Sequence, residues 1–418
     1  MNDGSIEDNV KYEKGKGEDM GKLAIHGGLP TREKFLAYGR QSIDESDVQA
    51  VSEVLMSDYL TTGPKVDEFE HAITDYVGAN YAVAVSNGTA ALHMAAFAAQ
   101  IKEGDEVLVP SMTFAASANC VLYCGGIPVF VDIDPDTYTI DLKDLESKIT
   151  DKTKAIIPVD YTGQSVRIDE IMGLARKHNL IVIEDGAHSL GSEYKGEKVG
   201  NRAHMTMFSF HPVKPVTTAE GGAIVTNDEN LYNKMMMFRS HGITRDERFL
   251  LRSEGPWYYE QQLLGYNYRL TDVQGALGIS QMKKLDRFVN RRREIVHLYN
   301  EQLKELEEIN TPYEMPESNS GWHLYVIRLN LNKLQVGRKE IFEALLAENI
   351  GVNVHYIPIH YHPYYEQLGY KKGITPEAEK LYNEMITLPL HPNMSDSDAR
   401  DVVKALRKVI TYYRKKSL

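Results

Sequence analysis

The ten residues Leu180-Ile181-Val182-Ile183-Glu184-Asp185-Gly186-Ala187-His188-Ser189 decide how this chain folds. Four apolar residues, three of them β-branched, run without interruption and stop at two acids, a glycine and a histidine. An unbroken run of this kind fits a strand covered on both faces, because a half-exposed strand alternates apolar with polar. Six similar runs lie at 81–85, 106–109, 128–133, 154–159, 205–210 and 222–226. Helical patterns near 89–99, 113–124, 142–149, 168–178 and 229–239 separate most of them. Such alternation predicts an α/β fold with a mostly parallel central sheet. In open sheets of that class, ligands bind outside the carboxyl ends of the strands. Glu184 to Ser189 therefore falls where chemistry is expected.

Outward from this centre the chain divides into three parts. Residues 1–22 are rich in Gly, Asp, Glu and Lys, show almost no apolar periodicity, and read as a mobile tail. Residues 23–280 form a large α/β domain. It opens with Ser42-Ile43-Asp44-Glu45, a capping-box pattern that places Val48, Val51, Val54 and Leu55 on one helical face. Thr61-Thr62-Gly63-Pro64 reads as a turn, and Phe69, Ile73 and Tyr76 recur at helical spacing after it. An aromatic and Gly-rich loop at 255–268 precedes a helical signal near Thr271. Residues 281–418 form a smaller α+β domain, with strands expected at 324–329 and 351–356 and helices near 338–348, 376–384 and 396–412. Its long first helix, about 284–306, carries Arg291-Arg292-Arg293, read as a solvated face. No internal repeat is visible.

Composition narrows the function classes. The 418 residues carry 59 acidic and 47 basic side chains, a net charge of −12, which disfavours a general nucleic-acid-binding role. Hydrophobic residues at 42% and charged residues at 25% are ordinary globular usage. Cys120 and Cys124 cannot form a disulfide framework. No apolar run approaches the roughly 20 residues that span a bilayer, and the N-terminus lacks the apolar core of a secretion signal. The expectation is a soluble cytoplasmic protein.

Three strings could carry chemistry. Ser86-Asn87-Gly88-Thr89-Ala90-Ala91-Leu92 joins a strand end to a helix start, where free N–H groups and the helix dipole suit a phosphate; an ordinary helix cap is the alternative. Asp185 at its strand end suits a buried cation, and His188 a neighbouring polar atom; a capping Asp and a core His are the alternative. In Ser209-Phe210-His211-Pro212-Val213-Lys214, followed by Thr217-Thr218-Ala219-Glu220-Gly221-Gly222, desolvation of Lys214 would make its amine nucleophilic toward carbonyls. A phosphate cradle, a strand-end Asp and a strand-end Lys are the parts a pyridoxal phosphate site requires. Neither G-x-G-x-x-G after a strand nor G-x-x-x-x-G-K-[ST] is present. His355, His360 and His362 lie in a tyrosine-rich loop better suited to a polar ligand than to a metal, so no metal is expected.

Together with Gly265-Tyr266-Asn267-Tyr268-Arg269-Leu270-Thr271-Asp272, these strings resemble the DegT/StrS family of pyridoxal phosphate-dependent nucleotide-sugar aminotransferases, in order and over residues 23–410. The resemblance implies aminotransferase fold type I and a homodimer with shared active sites. It implies that Lys214 carries the cofactor and acts as general base and acid, and that Asp185 pairs with the pyridine nitrogen. His188 would lie near the phenolic oxygen, Gly88, Thr89 and Ser209 on the phosphate, and Phe114 against the ring, with core packing as the alternative for Phe114. Asn267 would reach the phosphate region of the neighbouring subunit. Thr62, Gly63, His355, Tyr356 and Tyr361 are candidate substrate walls, with a structural turn as the alternative at 61–64. The implied reaction moves an amino group from L-glutamate, leaving 2-oxoglutarate, to C4 of a UDP-linked 4-keto-6-deoxy-N-acetylhexosamine. A dTDP- or GDP-linked keto sugar, or amination at C3, is the alternative within enzymes; a pyridoxal phosphate-binding regulator is the alternative outside them.

Overall fold

The computed structural model describes residues 22–415, so the tail expected at 1–22 lies, Lys22 apart, outside the described residues. The central sheet has seven strands: β1 (Tyr81–Val85), β2 (Glu106–Pro110), β3 (Ile127–Val131), β4 (Thr153–Ile156), β5 (Ile181–Asp185), β6 (Met205–Ser209) and β7 (Gly222–Thr226). Their order is β1-β7-β6-β5-β4-β2-β3, and only the two pairings made by β7 are antiparallel. The sheet is thus mostly parallel, as expected.

The unbroken apolar runs are explained by burial on both faces. Val83, Val85, Val107, Val109, Ile183, Met205, Met207 and Ile224 point to one side, into a core closed by the helices Gly88–Ala98, Ala116–Tyr123 and Glu229–Arg239. Their sequence neighbours point to the other side. There Ala82, Ala84, Phe208 and Val225 meet the helix Pro64–Val77, while Leu108, Ile156 and Val182 meet the helix Ile168–His178. Side-chain alternation along each strand therefore feeds two apolar layers, so most positions are apolar, while the buried Glu184 and Thr206 satisfy each other by a 2.8 Å hydrogen bond.

A smaller antiparallel sheet of β8 (Ile309–Asn310), β9 (Tyr325–Leu329) and β10 (Met385–Leu388) packs with the helices Arg338–Ala347 and Asp396–Tyr413. The structure differs from the sequence reading in three places. Residues 351–356 form no strand; only Asn353 bridges to Thr387, and Met385–Leu388 takes the place beside β9. Arg292 is not solvated: it is 2% exposed, and its Nη1 donates to the carbonyls of Leu390 at 2.8 Å and His323 at 3.2 Å. Arg291 and Arg293 likewise donate to the Met394 and Ser320 carbonyls. The first helix is capped by Asp44, not Ser42, and of its expected apolar face only Val54 is buried, with Val48 and Leu55 exposed.

Around the boundary expected at 280, packing crosses in both directions. Leu23 and Leu36 pack in the core of the C-terminal unit, Leu36 pairing with Ile350. Glu348, fully buried there, accepts the N–H groups of Ala24 and Thr31 and the Lys408 ammonium. The helix Leu285–Leu303 belongs to both units: Leu285 and Val289 pack with Phe69 and Phe208, while Ile295, Val296, Tyr299 and Leu303 pack in the small-unit core. An apolar stripe at helical spacing runs straight across the boundary.

Candidate active site

Five parallel strands end on one side of the sheet, and the chain leaving each end contributes to a single cleft of about 680 Å³. From β1 come Asn87, Gly88 and Thr89; from β2, Thr113 and Phe114; from β4, Val159; from β5, Asp185 and His188; from β6, Ser209, His211 and Lys214.

The β1 exit opens the helix Gly88–Ala98. Asn87 is its N-cap, accepting the Ala90 N–H at 2.8 Å. The N–H groups of Gly88 and Thr89, first in the helix, have no helical acceptor and face the cleft at the positive end of the dipole. Glycine keeps this contact loose: a Cβ on Gly88 would lie 3.3 Å from Ser209 Oγ, close enough that the serine would have to give way. Close by, a Cβ on Gly222 would meet the Asn87 carbonyl at 2.6 Å, so the two chain segments touch backbone to backbone.

Asp185 is 4% exposed at the end of β5. Its Oδ2 accepts the Ser117 hydroxyl at 2.6 Å and its Oδ1 the Ala187 N–H at 3.1 Å. Burial pushes its carboxyl above the usual carboxylate range, against the pull of those two donors and of the Lys214 charge. Lys214 sits in the loop between β6 and β7, which folds back on Phe210: Thr218 N–H and Thr217 Oγ1 both donate to the Phe210 carbonyl. Desolvation brings the Lys214 amine down to about 8, with Asp185 opposing the fall. An amine in that range supplies a usable fraction of nucleophile near neutrality.

His188 is buried and held far below its ordinary pKa by desolvation, then by the nearby Lys214 charge, so it is neutral. Its Nε2 lies 3.1 Å from the Tyr356 hydroxyl, and its Nδ1 has no partner among the described residues. His355 is pushed down to about 4, mainly by burial, and its Nδ1 pairs with Thr387 Oγ1. Phe114, in contrast, leaves 60% of its surface exposed within the cleft.

The structure thus gathers Gly88, Thr89, Phe114, Asp185, His188, Ser209, Lys214, His355 and Tyr356 on one cleft. It places four other candidates elsewhere. Thr62 and Gly63 form a turn clamped by Asp272, whose carboxylate takes the Gly63 and Lys65 N–H groups. Asn267 is exposed, its backbone paired with Ser240. Tyr361 donates to Glu379 at 2.8 Å, beyond the point where the loop turns away from the cleft. His360 pairs with that same Glu379, so the three histidines of this loop diverge. Among the described residues no group of three or more His, Cys, Asp or Glu is placed to hold a metal.

Sequence reasoning missed Tyr38, Ser117, Tyr268 and His323. Tyr38 reaches the cleft from the N-terminal segment, its ring 5.2 Å from that of His355. The His323 ring lies 4.4 Å from that of His188, tilted by 42°, and is also held neutral by burial. Both stand far from the strand-end strings in sequence, and no spacing rule reaches them. Ser117 carried a faint signal, a hydroxyl among small apolar helix positions.

This constellation on a mostly parallel sheet defines a fold type I aminotransferase, and the chain belongs to the DegT/DnrJ/EryC1/StrS aminotransferase family, whose model matches residues 41–407. Among named relatives, UDP-4-amino-4,6-dideoxy-N-acetyl-beta-L-altrosamine transaminase of Campylobacter jejuni subsp. jejuni (strain 81-176) is 40% identical over 384 residues, covering 91% of this chain and 99% of that protein. The solved structure of PseC from Helicobacter pylori, described as an aminotransferase involved in the biosynthesis of pseudoaminic acid, aligns with a TM-score of 0.85 at 34% identity, covering 91% of this chain and 100% of that one. Spr1654 of Streptococcus pneumoniae, solved in a PLP form, aligns with a TM-score of 0.84 at 30% identity, covering 90% of this chain and 99% of that one.

The protein is an enzyme, an aminotransferase dependent on pyridoxal 5′-phosphate. Its residues fit that group on their own terms. The Gly88 cradle leaves room that a side chain would fill, the buried His188 Nδ1 lacks a partner, and the Phe114 face is open to a flat ring.

Proposed function

We propose that this enzyme transfers the amino group of L-glutamate to C4 of a UDP-linked 4-keto-6-deoxy-N-acetylhexosamine, releasing 2-oxoglutarate and a UDP-4-amino sugar. The observation that carries the acceptor is likeness across nearly the whole chain to the Campylobacter altrosamine transaminase. The chemistry of the cleft supports it. Tyr38, Tyr356, His355 and His323 give a wall of aromatic rings with hydrogen-bonding edges, suited to a sugar. Among the described residues Lys214 is the only Lys or Arg on the lining, which leaves the diphosphate to groups beyond it. A homodimer with shared sites would add groups from the neighbouring subunit, and Asn267, exposed and outside its own cleft, would reach the neighbour's cofactor-phosphate region.

When bound, pyridoxal phosphate supplies an electron sink and carries the amino group between the two substrates. The Gly88 and Thr89 N–H groups, with the Thr89 and Ser209 hydroxyls, would hold its phosphate. Asp185 would hold the ring-nitrogen proton, Phe114 would cover the ring face, and neutral His188 would lie near the phenolic oxygen. Lys214 Nζ takes the proton from Cα of glutamate in the first half-reaction and sets one on C4 of the sugar in the second.

Separated half-reactions test the proposal. The holoenzyme is treated with L-glutamate, freed of donor, and given UDP-2-acetamido-2,6-dideoxy-β-L-arabino-4-hexulose. Return of the original cofactor absorbance is the expected result. A clean glutamate step with no response to that sugar, but response to a dTDP- or GDP-linked keto sugar, overturns the UDP assignment.

A further inference from the structure

We propose that Ser117, backed by Thr113, is a positioning residue that keeps the Asp185 carboxylate ionised and aimed at the cofactor's ring nitrogen. The inference rests on Asp185 serving that nitrogen. Ser117 lies in the helix Ala116–Tyr123, fully buried, and its hydroxyl donates to Asp185 Oδ2 at 2.6 Å. Behind it the Thr113 hydroxyl, 2% exposed, lies 2.8 Å from Ser117 Oγ. An ionised carboxylate only accepts, so the single Ser117 proton points to Asp185 and the Thr113 proton to Ser117. The result is a one-way relay, Thr113 to Ser117 to Asp185, in which each donation strengthens the next.

Packing alone does not explain a hydroxyl here. Ala116 and Ala118 flank it, both buried, so the helix accepts a bare methyl on either side. A buried hydroxyl is costly unless it is hydrogen-bonded, and across the interface it meets the carboxylate. The other donor to Asp185, Ala187 N–H, is longer at 3.1 Å and comes from the same loop as the acid. Among the described residues Ser117 alone ties the carboxylate to a second element, fixing its rotation. It also offsets the desolvation that favours the neutral acid, and a neutral acid would not hold a proton on the ring nitrogen.

The test uses apoenzyme and pyridoxal phosphate, with no sugar nucleotide, so its outcome is independent of the acceptor assigned above. Ser117→Ala should weaken equilibrium binding of pyridoxal phosphate by roughly 10- to 100-fold, the span of a lost hydrogen bond to a charged group. The NMR resonance of a ¹⁵N-labelled pyridine ring should move toward its unprotonated position, while the apoenzyme's melting temperature stays near the wild-type value. Thr113→Val, which leaves the direct bond in place, should give a smaller shift of the same sign, and it serves as the test if Ser117→Ala does not fold. Asp185→Asn is the reference. If it shifts binding and resonance while the Ser117 and Thr113 variants match wild type, the relay is refuted. If Asp185→Asn itself leaves both unchanged, the assignment of Asp185 fails and the relay with it.

Discussion

Replacing Asp185 by Asn should make the Lys214 amine easier to deprotonate, and the size of the effect follows from their surroundings. Burial lowers this amine to about 8, and the facing Asp185 carboxylate is the influence that resists a further fall. The carboxylate stabilises the ammonium form, so its removal moves the balance toward the free amine. An opposite charge in a buried site is worth about 1–3 pKa units. A loss of about one to two units puts the inflection near about 6–7. At neutral pH an amine titrating at about 8 is roughly one-tenth neutral, whereas one titrating near 6–7 is roughly one-half to nine-tenths neutral. Lys214 in the variant apoenzyme should therefore react about five to ten times faster with a reagent selective for free amines. Limiting carbamylation by cyanate across the neutral and alkaline range, with the Lys214 peptide quantified by mass spectrometry, gives the inflection directly. An inflection that stays in place or moves upward refutes the electrostatic account of this pair.

Three further variants probe the site and its support. Lys214→Ala should abolish turnover while leaving circular dichroism and melting temperature near wild type; appreciable multiple turnover would remove Lys214 from the proton-transfer role. Mixed dimers of Asn267→Ala and Lys214→Ala should regain part of the activity that each homodimer lacks, and verified heterodimers without any regain would count against shared sites. Behind β1, the Arg239 guanidinium lies 2.5 Å from the buried Glu70 carboxylate, which also takes the Ala84 N–H. Arg239→Met should cost about 3–5 kcal/mol, because it strands a buried charge. Burial already holds the Glu70 carboxyl above its ordinary range, so the folded variant binds a proton more readily than the unfolded chain. Its stability deficit should then shrink as pH falls toward that range and grow as pH rises. Denaturation at two pH values checks this, and equal deficits at both would contradict it.

The large sheet was legible because burial on both faces leaves a signature in each strand: Ile181, Val182 and Ile183 cannot alternate when both sides need apolar cover. The strand-end strings were legible for a related reason, since polar residues that interrupt such runs stand where the sheet stops. Residues 351–356 misled because Val352 and Val354 alternate like a strand, although residues 385–388, unremarked in sequence, pair with β9. Arg291 to Arg293 misled because charge was read as solvation, whereas a guanidinium is also a way to satisfy carbonyls at the seam between two units. Tyr38 and His323 were silent: each reaches the cleft through tertiary folding alone, and a single sequence records no distance between them and Lys214.

The helix Leu285–Leu303 bears on how this protein can be taken apart. Its first turns are rooted in one apolar core and its later turns in the other, and the opening segment around Leu23 and Leu36 returns to the second core as well. A gene split at codon 280 would therefore not yield two autonomous halves. The first fragment would lose the side chains that seal Phe69 and Phe208, and the second would lose its own opening strap. Modular exchange of the C-terminal third between relatives meets the same obstacle. A viable chimera has to carry the strap and the helix together, as one inherited unit assembled from distant parts of the chain.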